Sequence, residues 1–523
     1  MIDAALERQG MDWRTSIPLP MPARSRLRSR ATRIALYAVL NLTVISLIVA
    51  FTVVRVWVAY ARSLPDLNGW HVQRPPDEFR ARDEARGETF DQYLAREERV
   101  FDQLDRLCRG PWSAERVGSY CRFQAASPCF PGHLFERNWN RTFVLEADPP
   151  RAGALLVHGL SDSPYSLRSL ALALHARGVT VIGLRVPGHG TCPAALARAT
   201  CEDWSAAVRV AMRGLAERVP PRTPLLMVGY SNGGALSVQY AAETVGDPSR
   251  PCPVGLVLIS PMIGITPLAG LTELYPAVTP FSGEPKLAWS AVQPEIDPFK
   301  YSSWPINASL QGYRLTQILR ARLDALAAAG RMGELPTILA VQSAADSTVV
   351  VGALVDELMA KLPPGGGELI LFDINRASRL EGLLKRDYGA DLAASLSKEG
   401  MPYSLTLVTG GEPGTPGLIA KSRRGAVRSE EALTMSWPRD VFSLSHVALS
   451  IAPDDPVYGS EGDSPLLPLG RLHARGEHGV LAISEGLLMR LRSNPFHAWT
   501  QDKILAWMEA RIDPNAPASG GPP

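Results

Sequence analysis

Beyond residue 140 the chain alternates between short apolar runs and amphipathic stretches. RTFVLEA (141–147), ALLVHG (154–159), VTVIGLRV (179–186), PLLMVGY (224–230), VGLVLIS (254–260) and PTILAVQS (336–343) read as strands. Ser166–Arg177, Trp204–Arg218 and Gly233–Thr244 read as the helices between them. Most of these strands are continuously apolar rather than alternating, which is what burial on both faces requires. The pattern therefore predicts an α/β fold with a mostly parallel sheet flanked by helices. Two stretches break the rhythm. Residues 262–335 scatter Pro, Trp and Tyr before a helical segment from Leu315 to Ala329, and residues 376–440 are long, polar and Gly-rich. Both are expected to be insertions on the sheet scaffold, the first of them a cap.

The N-terminal part follows a different pattern. Ala35–Val54 contains no charged residue, and a helix of about 20 residues spans a hydrocarbon core of about 30 Å. Arg14, Arg24, Arg26, Arg28, Arg30 and Arg33 precede it, whereas Arg55, Arg62 and Arg74 follow. Positive charge stays on the cytoplasmic side, so the N-terminus is expected inside and the bulk of the chain outside, in a periplasmic or extracellular space. A cleaved signal peptide is the rival, with Ala59-Tyr60-Ala61 as a passable site, but the apolar run exceeds the usual h-region of about 7–15 residues. The expected organisation is a basic cytoplasmic segment (1–33), a transmembrane helix (34–58), and a stalk with an amphipathic helical segment (59–140). An α/β domain (141–513) and a disordered tail (514–523) complete it. Within the third part Phe90, Tyr93, Leu94, Phe101, Leu104 and Leu107 fall near helical spacing.

Composition narrows the picture further. Of 523 residues, 46% are hydrophobic and 20% charged, which excludes wholesale disorder. Lys and Arg number 54 against 52 Asp and Glu, so no bulk charge favours nucleic acid. The six cysteines suit a disulfide-permissive compartment, with Cys192–Cys201 the first candidate pair, and six unpaired thiols, some buried as small apolar residues, are the equal alternative. None has a spacing that suggests zinc.

Chemistry enters at Gly229-Tyr230-Ser231-Asn232-Gly233, a G-x-S-x-G pentapeptide between a predicted strand and a predicted helix. That context suits a nucleophile elbow, where a tight turn exposes the serine hydroxyl and only small neighbours fit. His158-Gly159-Leu160 ends an earlier strand. The backbone N–H groups of Leu160 and Asn232 are the candidate oxyanion hole. His158 itself reads as a structural hydrogen-bonding residue.

The stretch HGLSDSPYSLRSLALALHARGVTVIGLRVPGHG (158–190), with Asp203-Trp204 and GYSNGG (229–234), resembles the α/β-hydrolase superfamily. Within it the likeness is to the monoacylglycerol lipase, carboxylesterase and serine aminopeptidase-like branch, in which a PGHG segment follows the second of these strands, as Pro187–Gly190 does here. The resemblance covers about 150–260 and returns near 336–350. It implies a triad in the order Ser, acid, His: Ser231, then Asp346 just after a buried strand, then His446 in FSLSHVALS. His478 is the rival base. His473 also follows, and His497 reads as structural, beside the last helix. His189 of PGHG is implied to support a loop. The reaction implied is two-step acyl transfer on a small-molecule or lipid ester, with no metal or organic cofactor. An aminopeptidase, for which Glu284, Glu295 and Asp297 form the compact acidic group, and a catalytically silent binding protein are the alternatives. An aromatic cap including Phe281, Trp289, Phe299, Tyr301 and Trp304 is expected to build an apolar acyl pocket, with at least half of these aromatics expected instead to pack the cap on the sheet.

Overall fold

The structure, a computed structural model, describes residues 23–115, 118–265, 270, 272–273, 283–378, 390–391, 394, 400–411, 414–439, 441–459 and 490–513. Contacts divide the chain into two units, Met1–Ser63 and Leu64–Pro523. In the first, helix α1 (Ala23–Ser63) carries the apolar run. Its part from Thr32 to Ser63 is long and apolar enough to cross a membrane, with a mean hydropathy of 2.4 over its best window. Leu36, Leu40, Leu47 and Phe51 are exposed along it. Thr43 and Thr52 donate their hydroxyls to the carbonyls of Val39 and Ile48, both at 2.8 Å, so these polar side chains are satisfied within the helix.

The second unit is built on a ten-stranded sheet. Its strands are β1 (Phe143–Leu145), β2 (Ala152–Val157), β3 (Val179–Leu184), β4 (Leu225–Tyr230), β5 (Gly255–Ile259), β6 (Thr337–Ser343), β7 (Gly367–Phe372), β8 (Ser404–Gly410), β9 (Gly417–Arg424) and β10 (Val427–Ser436). In space they run β1-β3-β2-β4-β5-β6-β7-β8-β9-β10. The strands from β3 to β8 in that order are parallel to their neighbours, and β1, β9 and β10 are antiparallel. The core lies on both faces. Along β2, Leu155 and Val157 enter one cluster while Ala154 and Leu156 enter the other. This two-sided burial is why the strands read as unbroken apolar runs. Helices α2 (Phe90–Arg109), α3 (Arg168–His175), α4 (Cys201–Glu217), α5 (Asn232–Thr244), α6 (Ile306–Ala328) and α7 (His497–Ile512) complete the described unit.

Two expectations need correction. The stretch expected as a stalk is not free-standing from residue 64 onward, because Trp70 and Phe79 are buried in this unit. Helix α2 begins at a reciprocal cap in which Gln92 N–H reaches Thr89 Oγ1 and Thr89 N–H reaches Gln92 Oε1. It buries Phe90, Tyr93 and Phe101. Second, Cys192 and Cys201 are both free, as are the other cysteines. Cys192 precedes the short helix Pro193–Leu196 and directs its thiol to Gln73 O, while Cys201 opens α4.

Residues 376–440 make an excursion whose ends meet, since Asn375 N–H donates to Phe442 O at 2.8 Å. Strands β8, β9 and β10 lie within it and extend the sheet beyond β7. The sequence pattern does not mark β9 and β10 as strands, because both mix charged and small residues and β10 is largely exposed. The cap stretch holds a ribbon of Trp289–Ala291 with Trp304–Pro305 and then α6. Phe281, His473, His478 and the tail from residue 514 lie outside the described residues.

Candidate active site

Strand β4 ends at Tyr230 and α5 starts at Asn232, leaving Ser231 alone on the turn with φ 54° and ψ −116°. The turn is held by Ser231 N–H to Ile259 O (3.0 Å) and Met262 N–H to Ser231 O (2.9 Å). The flanking glycines are steric necessities. A Cβ on Gly233 would lie 1.9 Å from Val157 O, and one on Gly229 would lie 2.4 Å from Gly233 O. Helix α5 thus packs directly against the end of β2, beside the turn His158–Leu160.

Both nitrogens of His158 are committed. Val186 N–H donates to Nε2 at 3.0 Å, and Nδ1 lies 2.8 Å from Gly159 O. Burial, with His189 nearby, holds its pKa well below the usual histidine range. His189 is likewise buried and pulled down to about 4, with Nδ1 against Pro187 O. These are neutral scaffold histidines. Ser161, with φ 61°, turns the chain after Leu160. Among the described hydrogen bonds, neither the Leu160 nor the Asn232 N–H has a protein acceptor. The Asn232 amide belongs to the first turn of α5, where the helix itself supplies none.

Asp346 follows β6 and His446 opens a short 3₁₀ turn, His446–Ala448. They are 100 residues apart, yet His446 Nδ1 lies 2.7 Å from Asp346 Oδ2. Their side chains are 4% and 0% exposed. Asp346 Oδ1 accepts the amides of Thr348 (2.8 Å) and Val349 (3.1 Å). Burial pushes the Asp346 carboxyl up, but the bond from His446, its charge and the two amides outweigh this and leave the pKa below its ordinary value. The His446 loop is tied to the sheet by Ser343 Oγ–H to Leu444 O (2.8 Å) and by Ser445 Oγ–H to Leu491 O.

The imidazole of His446 packs against the ring of Tyr230 with centroids 5.4 Å apart, which brings it beside the residue preceding Ser231. No direct bond between Ser231 Oγ and His446 Nε2 occurs among the described hydrogen bonds. Such contacts are commonly long without substrate and tighten on binding.

The sequence match settles the family. Residues 148–308 fit the family described as serine aminopeptidase, S33. The chain is 32% identical over 186 residues to the thermostable monoacylglycerol lipase of Bacillus sp. (strain H-257), spanning 35% of this chain and 68% of that lipase. The chain belongs to the monoacylglycerol lipase and serine aminopeptidase-like branch of the α/β-hydrolases. Similar solved structures include a chain from the work on the metagenome-derived lipolytic enzymes LipS and LipT, at 25% identity, covering 45% of this chain and 88% of that one with a TM-score of 0.36. Another is the Paleococcus ferrophilus monoacylglycerol lipase, at 19% identity, 44% and 87% coverage and a TM-score of 0.34. The assignment rests on the sequence match and not on these likenesses. This α/β-hydrolase is a serine hydrolase of the lipase and esterase type.

Of the two roles the sequence leaves open for the cap aromatics, three of them take the packing one. Phe299 stacks on Tyr165 with centroids 4.0 Å apart, Tyr301 donates to Gly188 O (3.1 Å), and Trp289 packs against His71. They fasten the cap to the sheet domain. Next to the oxyanion turn, Leu160 and the buried Met262 face Gly312 of α6, where a Cβ would be 3.6 Å from Leu160 and 3.5 Å from Met262. One polar residue beside the acid, Gln342, was missed in the sequence. Its only signal was a lone amide following the apolar run of β6.

Proposed function

We propose that this chain is a membrane-anchored carboxylic ester hydrolase, acting on hydrophobic acyl or monoacylglycerol-like esters through Ser231, His446 and Asp346. The observation that carries the reading is the 2.7 Å bond from His446 to Asp346, made across 100 residues of sequence and beside the strained Ser231 turn. His446 Nε2 takes the Ser231 proton as Oγ attacks the ester carbonyl. Asp346 holds the Nδ1–H tautomer and stabilises the imidazolium. The N–H groups of Leu160 and Asn232 receive the oxyanion, His446 returns the proton to the leaving alcohol, and water, activated by the same imidazole, releases the acid.

An ester is favoured over a peptide with a free amine, because the carboxylates suited to an amine are occupied. Glu295 is buried and accepts the amides of Ser302 (3.0 Å) and Ser303 (2.8 Å). Asp297 accepts Phe299 N–H and Lys300 N–H, both at 3.0 Å, and Tyr458 O–H. Glu284 caps a 3₁₀ turn through Lys286 N–H at 3.3 Å. The substrate named for the Bacillus relative and the apolar side chains of Leu160 and Met262 support a hydrophobic acyl group. Helix Thr32–Ser63 supports an anchor, with the cationic flank predicting a cytoplasmic N-terminus and an extracytoplasmic hydrolase unit.

The test is hydrolysis by the full chain in detergent, comparing medium-chain aryl esters and a monoacylglycerol with aminoacyl anilides. Esters are expected to be cleaved and anilides not. Ser231→Ala and His446→Ala should each cost about 10³-fold or more in kcat, whereas His478→Ala should leave it intact. Faster anilide cleavage, or loss of activity in His478→Ala with retention in His446→Ala, would overturn the reading.

A further inference from the structure

Gln342 is fully buried near the end of β6, following Ile338, Leu339, Ala340 and Val341. Its Nε2–H donates to Asp346 Oδ2 at 2.8 Å, the same oxygen that receives His446 Nδ1–H. Its own Oε1 has no hydrogen-bond partner among the described residues. A buried carboxamide that is only half satisfied costs stability relative to an apolar side chain of the same volume. Turning the amide over would set Oε1 against a carboxylate oxygen, so the chemistry of the neighbour fixes its orientation. The one interaction gained for that cost is the bond to the acid.

We infer that Gln342 is a positioning residue for ester hydrolysis, fixing Asp346 so that it holds the His446 imidazole. This rests on the triad reading above. With Gln342 in place the Asp346 carboxylate accepts four hydrogen bonds, two on each oxygen. Asp346 itself sits on an irregular turn, whereas Gln342 sits on β6, which is paired on both sides by β5 and β7. The amide therefore ties the acid to a strand held on both sides within the sheet. Removing it should let the carboxylate rotate out of line with Nδ1–H and weaken its hold on the imidazolium.

The experiment uses the detergent-solubilised full chain with Gln342→Met and Gln342→Leu, reading kcat, KM, the pH profile and the unfolding midpoint. The expected result is a fall in kcat of about tenfold with little change in KM. The acid limb of kcat/KM should move to lower pH, and the midpoint should hold or rise. Folded variants with wild-type kcat and an unmoved acid limb would overturn the inference. So would variants that fail to fold, or that lose stability and activity together with the limb in place, since the amide would then be structural. A wild-type enzyme whose turnover does not depend on His446 and Asp346 defeats the triad reading instead. Dependence on both with indifference to Gln342 defeats this inference alone.

Discussion

Ser231 adopts φ 54°, a region that non-glycine side chains enter only where the surroundings enforce it. The pentapeptide made this residue legible because its requirements are local: a turn between strand and helix, and glycines where a Cβ would strike backbone. Asp346 and His446 were legible only through chain order, since nothing local marks a contact made across 100 residues. Gln342 was illegible for the same reason; its meaning lies in one oxygen of another side chain. A prediction follows for pH. The Asp346 pKa is depressed in the folded state, so its carboxylate, and the stability it contributes, persists through mildly acid conditions and is lost only as pH falls below the ordinary carboxylate range. Loss of kcat/KM in mildly acid conditions should therefore not come from protonation of Asp346. Asp346→Asn should reduce kcat by roughly 10³–10⁴-fold at neutral pH without a matching rise in KM, as measured with an aryl ester. Near-wild-type turnover in that variant would remove Asp346 from the mechanism.

Strands β1 to β6 were legible from their apolar runs; β7 and β8 are covered on both faces too but escaped the sequence reading, and in β9 and β10 charged residues and an exposed hairpin edge leave hydrophobicity unable to mark the period. The long interval before His446 also has its reason at this scale. The chain leaves after β7, adds β8 to β10 to the sheet, and returns to the point it left, where Asn375 meets Phe442. The N-terminal segment proves to be more than an outer layer. Arg185, just beyond β3, is 1% exposed and pairs with Glu97 of α2 (2.8 Å) and with Glu78 (3.2 Å). Glu97 also accepts Thr142 N–H at 2.6 Å, and Arg185 donates to His189 O at 3.0 Å in the PGHG loop. A buried cation stripped of a partner is costly, so Glu97→Ala should destabilise the fold by about 3–5 kcal/mol in denaturant unfolding. A change within about 0.5 kcal/mol, typical of a surface position, would show that α2 is dispensable to the core.

At the scale of the whole molecule, the chain joins one exposed apolar helix to a hydrolase unit. The apolar run, the order of strands β1 to β6, the motif and the triad candidates were legible. The function of the cap aromatics was not, because composition alone does not distinguish a pocket lining from a packing surface. An anchor predicts that the full chain sediments with membranes, resists extraction by high salt and is released by detergent; recovery in the soluble fraction with residues 1–61 cleaved off would identify a signal sequence instead. The central claim, that Ser231 is a nucleophile activated by His446, is tested most directly by treating the full chain with a serine-directed phosphonate and mapping the adduct by mass spectrometry. The account predicts a single adduct on Ser231, absent in Ser231→Ala and slowed at least about 10³-fold in His446→Ala. An adduct on another residue, or labelling of Ser231 that is indifferent to His446, would contradict it.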